Sequence, residues 1–188
     1  MGAETEEEGT VRMTPSEAHD SAWRRDAGHD EMQLAVMRLA RTRFARISGF
    51  WPDHPDVVAA CERVAAEALM RNGRSMFFAD LMVDLRGAGM VPDLGTQDFA
   101  GYIALEVKPV IHSCGAVIRQ CSVLQEKLCE WVRDGGRGAF TRATAIPVVR
   151  SSDPKAQLLA DLVGQKIMVW DGAERLDWLL PNGNEVQP

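Results

Sequence analysis

The sequence predicts an α/β fold, a mixed central β-sheet flanked by helices. Three observations predict it. Segments with apolar residues every three or four positions are interleaved with segments that alternate apolar and polar residues. Breakers such as "GFWPDHP", "GAG" and "DGGRG" separate them. Apolar residues make up 46% of the 188, enough for a core. No apolar run approaches the roughly 18–20 residues of a membrane span.

Residues 30–48, "DEMQLAVMRLARTRFARIS", read as a helix opened by Asp30 that carries Arg38, Arg41, Arg43 and Arg46. Asp56 is expected to cap a second helix, 57–72, with Val57, Cys61, Val64 and Ala68 on one face and Gly73 as its stop. "SMFFADLMVDLR", 75–86, reads as a strand, and "GAG" as the turn after it. "YIALEVK", 102–108, alternates as a strand does. Ser113 caps a helix to about Arg133 whose stripe is Val117, Cys121, Leu124, Leu128 and Trp131. "ATAIPVVRS" is a strand, "DPKAQLLADLVGQ" a helix with Pro154 in its first turn, and "KIMVWDG" a last strand. The domain organisation expected is an acidic tail over 1–29 and one domain over 30–188, with its core at 56–150 and an extension at 151–188.

The net charge of −6 resides in the first 31 residues, where nine acids face three arginines. The body is neutral, with 18 basic and 18 acidic groups, so any nucleic-acid contact must come from local patches. Arg38, Arg41 and Arg46 on the first helix, and Arg119 on the helix after the lysine strand, are the candidates, since phosphate contacts need only cationic reach. The acidic start fits neither a secretory signal nor a transit peptide, and a cytoplasmic location is expected. The four cysteines, Cys61, Cys114, Cys121 and Cys129, form no CxxC pair and read as helix-core thiols rather than as zinc or iron–sulfur ligands. No P-loop is present, so no nucleotide cofactor is expected.

The chemistry concentrates in "MVPDLGTQDFAGYIALEVKP". Ile103, Leu105 and Val107 share one strand face; Glu106 and Lys108 share the other. A hairpin turning through "DFAG" would set Asp93 opposite Glu106, with Cβ atoms about 4.5–5.5 Å apart. Two opposed carboxylates repel, and a divalent cation on hard oxygen ligands resolves the conflict. The carbonyl of Val107 is a third candidate ligand. Lys108 would stand beside the ion, where an ammonium can orient water or stabilise a phosphate transition state. Asp80 and Asp84 share a face of the preceding strand and are either further ligands or, the preferred reading, solvated side chains.

Pro92-Asp93, twelve residues, then Glu106-Val107-Lys108 resembles the PD-(D/E)XK nuclease superfamily. "GMVPDLG" followed by "YIALEVKP" looks most like its VRR-NUC and Holliday-junction-resolvase branches. The resemblance spans residues 56–150 and implies a restriction-endonuclease-like core, αβββαβ. It implies Glu67 beside the metal, as the glutamate of the first core helix, and Gln120, as the glutamine of the helix after the lysine strand. No tyrosine follows Gln120, a departure from the RecB-like branch. Pro52-Asp53, Pro55-Asp56 and Asp153-Pro154-Lys155 are decoys, placed before a helix or carrying a proline that a central strand excludes.

The function expected is a Mg²⁺- or Mn²⁺-dependent deoxyribonuclease, an endonuclease, with DNA as partner, homodimerisation as in many such enzymes, and no membrane association. Asp93, Glu106, Lys108 and Gln120 are its candidate catalytic residues; Asp93, Glu106, Val107 and Glu67 are its candidate metal ligands. The alternative is an inactive nuclease fold that serves as a DNA- or protein-binding module, distinguished by binding without metal-dependent cleavage.

Overall fold

The computed structural model describes residues 28–48, 57–72, 75–91, 95–135 and 141–182. The described elements run α1 (His29–Arg43), β1 (Ile47–Ser48), β2 (Val58–Asn72), β3 (Ser75–Val91), β4 (Gly95–Lys108), α2 (Cys114–Asp134), β5 (Thr141–Arg150), α3 (Ala156–Val163), β6 (Ile167–Trp170) and β7 (Leu176–Leu179). The seven strands form one mixed sheet in chain order. β1 to β4 are antiparallel neighbours, β4–β5 and β5–β6 are parallel, and β7 returns antiparallel. Each parallel step is bridged by a helix, α2 or α3, as a crossover requires. The expected mixed α/β sheet is therefore present. No described helix is long and apolar enough to cross a membrane.

The helices cover the two faces. α1 packs Met32, Val36, Ala40 and Phe44 onto Leu81, Val83 and Leu85 of β3 and Ile103, Leu105 and Val107 of β4. α2 packs Leu124, Leu128 and Val132 onto Met82, Tyr102 and Ala104. A third cluster closes α2 and α3 over β5 and β6 around Leu159 and Ile167. Ser113 caps α2 as expected, its hydroxyl accepting from the Ala116 N–H at 3.4 Å.

Three sequence expectations are corrected. Residues 57–72 are not a helix. From Val58 onward they form β2, whose helix-like spacing comes from two irregularities. A bulge between Cys61 and Arg63 puts Cys61 and Val64, three residues apart, on the α1 side. At Glu67 (φ 48°) the buried side switches, so that Ala68 and Met70 pack under α2. A strand interrupted twice thus mimics a period of three to four.

The second correction concerns the β3–β4 hairpin. "GAG" is strand, because β2 passes so close that a Cβ on Gly87 would lie 2.0 Å from the Val58 carbonyl oxygen. "DFAG" is strand as well, with Phe99 buried opposite Gly87. The pairing runs from Val91↔Gly95 to Leu81↔Leu105, so the register carries Glu106 toward Asp80. Asp93 itself lies outside the described residues, as do Asp56 and Gly73. The third correction ends the first helix at Arg43, since Ile47 and Ser48 of the expected 30–48 helix form β1, and adds β7, which sequence periodicity did not reveal. β7 lays Trp178 edge-on against Phe44 at 6.0 Å.

Candidate functional site

The described β3–β4 ladder stops at Leu81↔Leu105, while β3 stays paired to β2 as far as Asn72↔Ser75. Beyond Leu81 the two strands therefore part. In this fork the backbone groups that lose a ladder partner are met by side chains. The Val107 N–H donates to Asp80 Oδ2 at 2.8 Å. The Asp80 carbonyl accepts from Gln33 Nε2 at 2.7 Å. The same Gln33 amide donates to Glu67 Oε1 at 2.8 Å. Gln33 is 6% exposed, so a buried amide on α1 ties β2 and β3 together where both deviate from regular pairing.

Glu67 is the one non-glycine residue with positive φ among those described. A side chain in that region costs of order 1–3 kcal/mol and persists only where its surroundings hold it. Gln33 supplies that hold. Glu67 reaches this cluster from a strand, not from the helix expected to carry it.

Glu106 and Lys108 lie two residues apart on the face of β4 opposite Leu105 and Val107. Lys108 Nζ donates to Glu106 Oε1 at 2.8 Å, and their side chains are 20% and 15% exposed. Burial pushes the Glu106 carboxyl above its ordinary value. The Asp80 charge adds to that rise, and Lys108 and His29 oppose it. His29 Nε2 lies 3.5 Å from Asp80 Oδ2. Beneath the pair, Cys121 is pushed up to about 12, chiefly by burial and then by the Glu106 charge.

Asp80 and Glu106 are thus the carboxylates that interact across the fork, in the relationship expected of Asp93 and Glu106. Among the described residues no three His, Cys, Asp or Glu side chains converge as a ready-made metal cage. The donor set still fits a hard divalent ion of the magnesium type, which takes one or two carboxylates and keeps several waters. Glu106, whose carboxyl the neighbouring Asp80 charge pushes upward, and Asp80 itself are such a set. A strand residue's N–H and C=O point to the same neighbour. The Val107 carbonyl therefore opens toward the side from which Asp80 approaches.

The remaining candidates are distributed as follows. Gln120 and Arg119, both exposed on α2, line a cavity of about 350 Å³ that Glu106 also lines. Gln125, the other glutamine of this helix, clamps β5. Its amide donates to the Ala143 carbonyl at 3.0 Å and accepts from the Ala145 N–H at 2.6 Å. Arg38, Arg41 and Arg46 are exposed toward and beyond the C-terminal end of α1. At 1.5 Å per residue, Arg41 is about 12 Å along the helix axis from Gln33. The decoy "DPK" braces the site from outside. Asp153 Oδ2 accepts from the Ile111 N–H at 2.8 Å, and Lys155 Nζ donates to the carbonyls of Ile111 and His112, both at 2.9 Å.

The sequence expectations give His29 and Gln33 no role, and of the two readings open for Asp80, ligand or solvated side chain, its 21% exposure disfavours the second. The available signal was Gln33 itself, a polar residue beside Met32 and Val36 in the apolar stripe of α1. No family model matches the chain, and comparisons with curated proteins and with solved structures return no match.

Proposed function

We propose that the chain is a metal-dependent nuclease that hydrolyses DNA phosphodiester bonds, acting as an endonuclease with Mg²⁺ or Mn²⁺. The observation that carries this reading is the Asp80–Glu106 carboxylate pair at the strand fork, with the Lys108 ammonium 2.8 Å from Glu106. The element order supports it. A helix (α1), then, after the two-residue β1, three antiparallel strands (β2–β4), a helix (α2) and a parallel strand (β5) run in the order of the αβββαβ core of the PD-(D/E)XK resemblance, with α1 in place of the expected 57–72 helix.

In this reading Asp80 and Glu106 would hold the ion, with the Val107 carbonyl beside them and Glu67 tethered near by through Gln33. When bound, the ion supplies Lewis acidity toward water and the scissile phosphate. Asp80 is oriented by the Val107 N–H and Glu106 by Lys108. Lys108 exchanges its bond to Glu106 for one to a phosphate oxygen as negative charge develops there. Water adds to phosphorus, the bridging P–O bond breaks, and a phosphate monoester and a hydroxyl are left. Gln120 and Arg119 stand along the cavity wall, where they would contact the strand being cut.

The second reading, a non-catalytic binding module, is favoured by the Lys108–Glu106 pair itself, an internal counter-ion that already neutralises the carboxylate. Supercoiled, linear and branched DNA incubated with Mg²⁺ or Mn²⁺ separates the two. Metal-dependent cleavage lost in Asp80→Asn, Glu106→Ala and Lys108→Ala supports the nuclease. DNA binding without cleavage on every substrate supports the module. Loss in Asp93→Asn with full cleavage by Asp80→Asn would return the ligand role to Asp93.

A further inference from the structure

The cavity beside Glu106 is unlike a duplex-binding groove. Phe77, Phe78 and Val123 give it aromatic and aliphatic walls, Arg119 makes its rim cationic, Lys127 is paired with Glu130 at 2.8 Å, and Glu106 forms part of its lining. Phe78 and Val123 are 51% and 57% exposed, so the apolar wall continues to the surface. At about 350 Å³ it falls in the range of roughly 300–1,000 Å³ typical of small-ligand sites. A flat aromatic body bearing a phosphate complements all three features: rings for the apolar wall, an anion for the rim, and a linkage brought next to the carboxylate.

We infer that this cavity receives one unpaired nucleobase, and that the substrate of the proposed nuclease is therefore a single-stranded or splayed segment of DNA. The inference rests on the nuclease reading for its second half only. A base inside a duplex must leave its stack to lie against the wall of this cavity, whereas a base of a single strand has no pairing to lose. Stacking on phenylalanine is tolerant of sequence because every base has a π face. Arg119 on the rim holds the adjoining phosphate, which sets the neighbouring phosphodiester against Glu106 and Asp80.

The test uses the full chain with EDTA present and a short single-stranded oligonucleotide carrying one 2-aminopurine, compared with the same oligonucleotide annealed to its complement. The single strand should bind about tenfold more tightly than the duplex, with a change in 2-aminopurine emission on binding. Val123→Trp, which fills the cavity from an exposed position, should lose about tenfold in single-strand affinity and leave duplex affinity unchanged. Phe78→Ala provides a second variant that removes wall instead of adding bulk, and circular dichroism verifies that both fold. Equal affinity for the two forms, or single-strand binding untouched in both variants, overturns the inference. Cleavage with Mg²⁺ reads the nuclease separately. Cleavage of duplex without single-strand preference refutes the pocket and keeps the nuclease; variant-sensitive single-strand binding without cleavage keeps the pocket and refutes the nuclease.

Discussion

Lys108 Nζ lies 2.8 Å from Glu106 Oε1, two residues back on the same strand, and both side chains are largely withdrawn from solvent. Burial and the Asp80 charge raise the Glu106 pKa above its ordinary 4.5 despite this partner. A raised folded pKa means that the folded state binds more protons than the unfolded chain. The stability so gained is complete below about 4.5 and is lost as pH rises through the folded value. Metal-free protein should show this decline in thermal midpoint, and Glu106→Gln should lack it. Because ion and proton compete for Glu106, the increment in midpoint given by Mn²⁺ should grow over the same interval. Calorimetric scans across pH with and without Mn²⁺ measure both effects.

Gln33 joins Glu67 and the Asp80 carbonyl from a buried position. Gln33→Leu keeps the volume and removes both bonds, leaving a carbonyl and a carboxylate without their donor. The expected loss is about 1–3 kcal/mol. Urea unfolding measures it, and a change below the error of the midpoint would mean that the fork does not depend on this amide.

Glu67 occupies left-handed backbone space, φ 48°. Glycine adopts that conformation without the Cβ penalty, so Glu67→Gly should be more stable than Glu67→Ala by about 1 kcal/mol, the reverse of the usual order in a strand. Both variants remove the carboxylate equally, so the comparison isolates the backbone. Parallel denaturation curves decide it.

The thiols divide by environment. Cys121, pushed up to about 12, carries almost no thiolate at pH 8, whereas Cys129 is exposed. Iodoacetamide with mass-spectrometric mapping should label Cys129 well before Cys121. Prompt labelling of Cys121 would contradict its placement beneath Glu106.

How far the sequence reveals this arrangement differs by element. Alternation in "YIALEVK" identified β4 and the shared face of Glu106 and Lys108, because a regular strand has a strict period of two. α2 was legible from its stripe and Ser113 from its capping role, whereas α1 was legible as a helix but not in its end, because Ile47 and Ser48 pair with β2, a long-range contact. β2 was misread because its bulge and the Glu67 kink erase the period of two, and alanine-rich composition favours helix locally. Long-range pairing with β3 overrides that preference. The role of Asp80 was obscured by the hairpin register, which puts both "GAG" and "DFAG" inside strands where their turn-forming composition gives no local sign of it. Gln33 becomes meaningful only once the fork it bridges is known.

The central claim is that Asp80 and Glu106 together form the seat of a divalent ion. Mn²⁺ titration followed by electron paramagnetic resonance, on the native chain, Asp80→Asn and Glu106→Gln, tests it most directly. Saturable binding is predicted for the native chain, weakened at least about tenfold by either substitution, since each removes one of two anionic ligands. Equal Mn²⁺ affinity in all three proteins would contradict it.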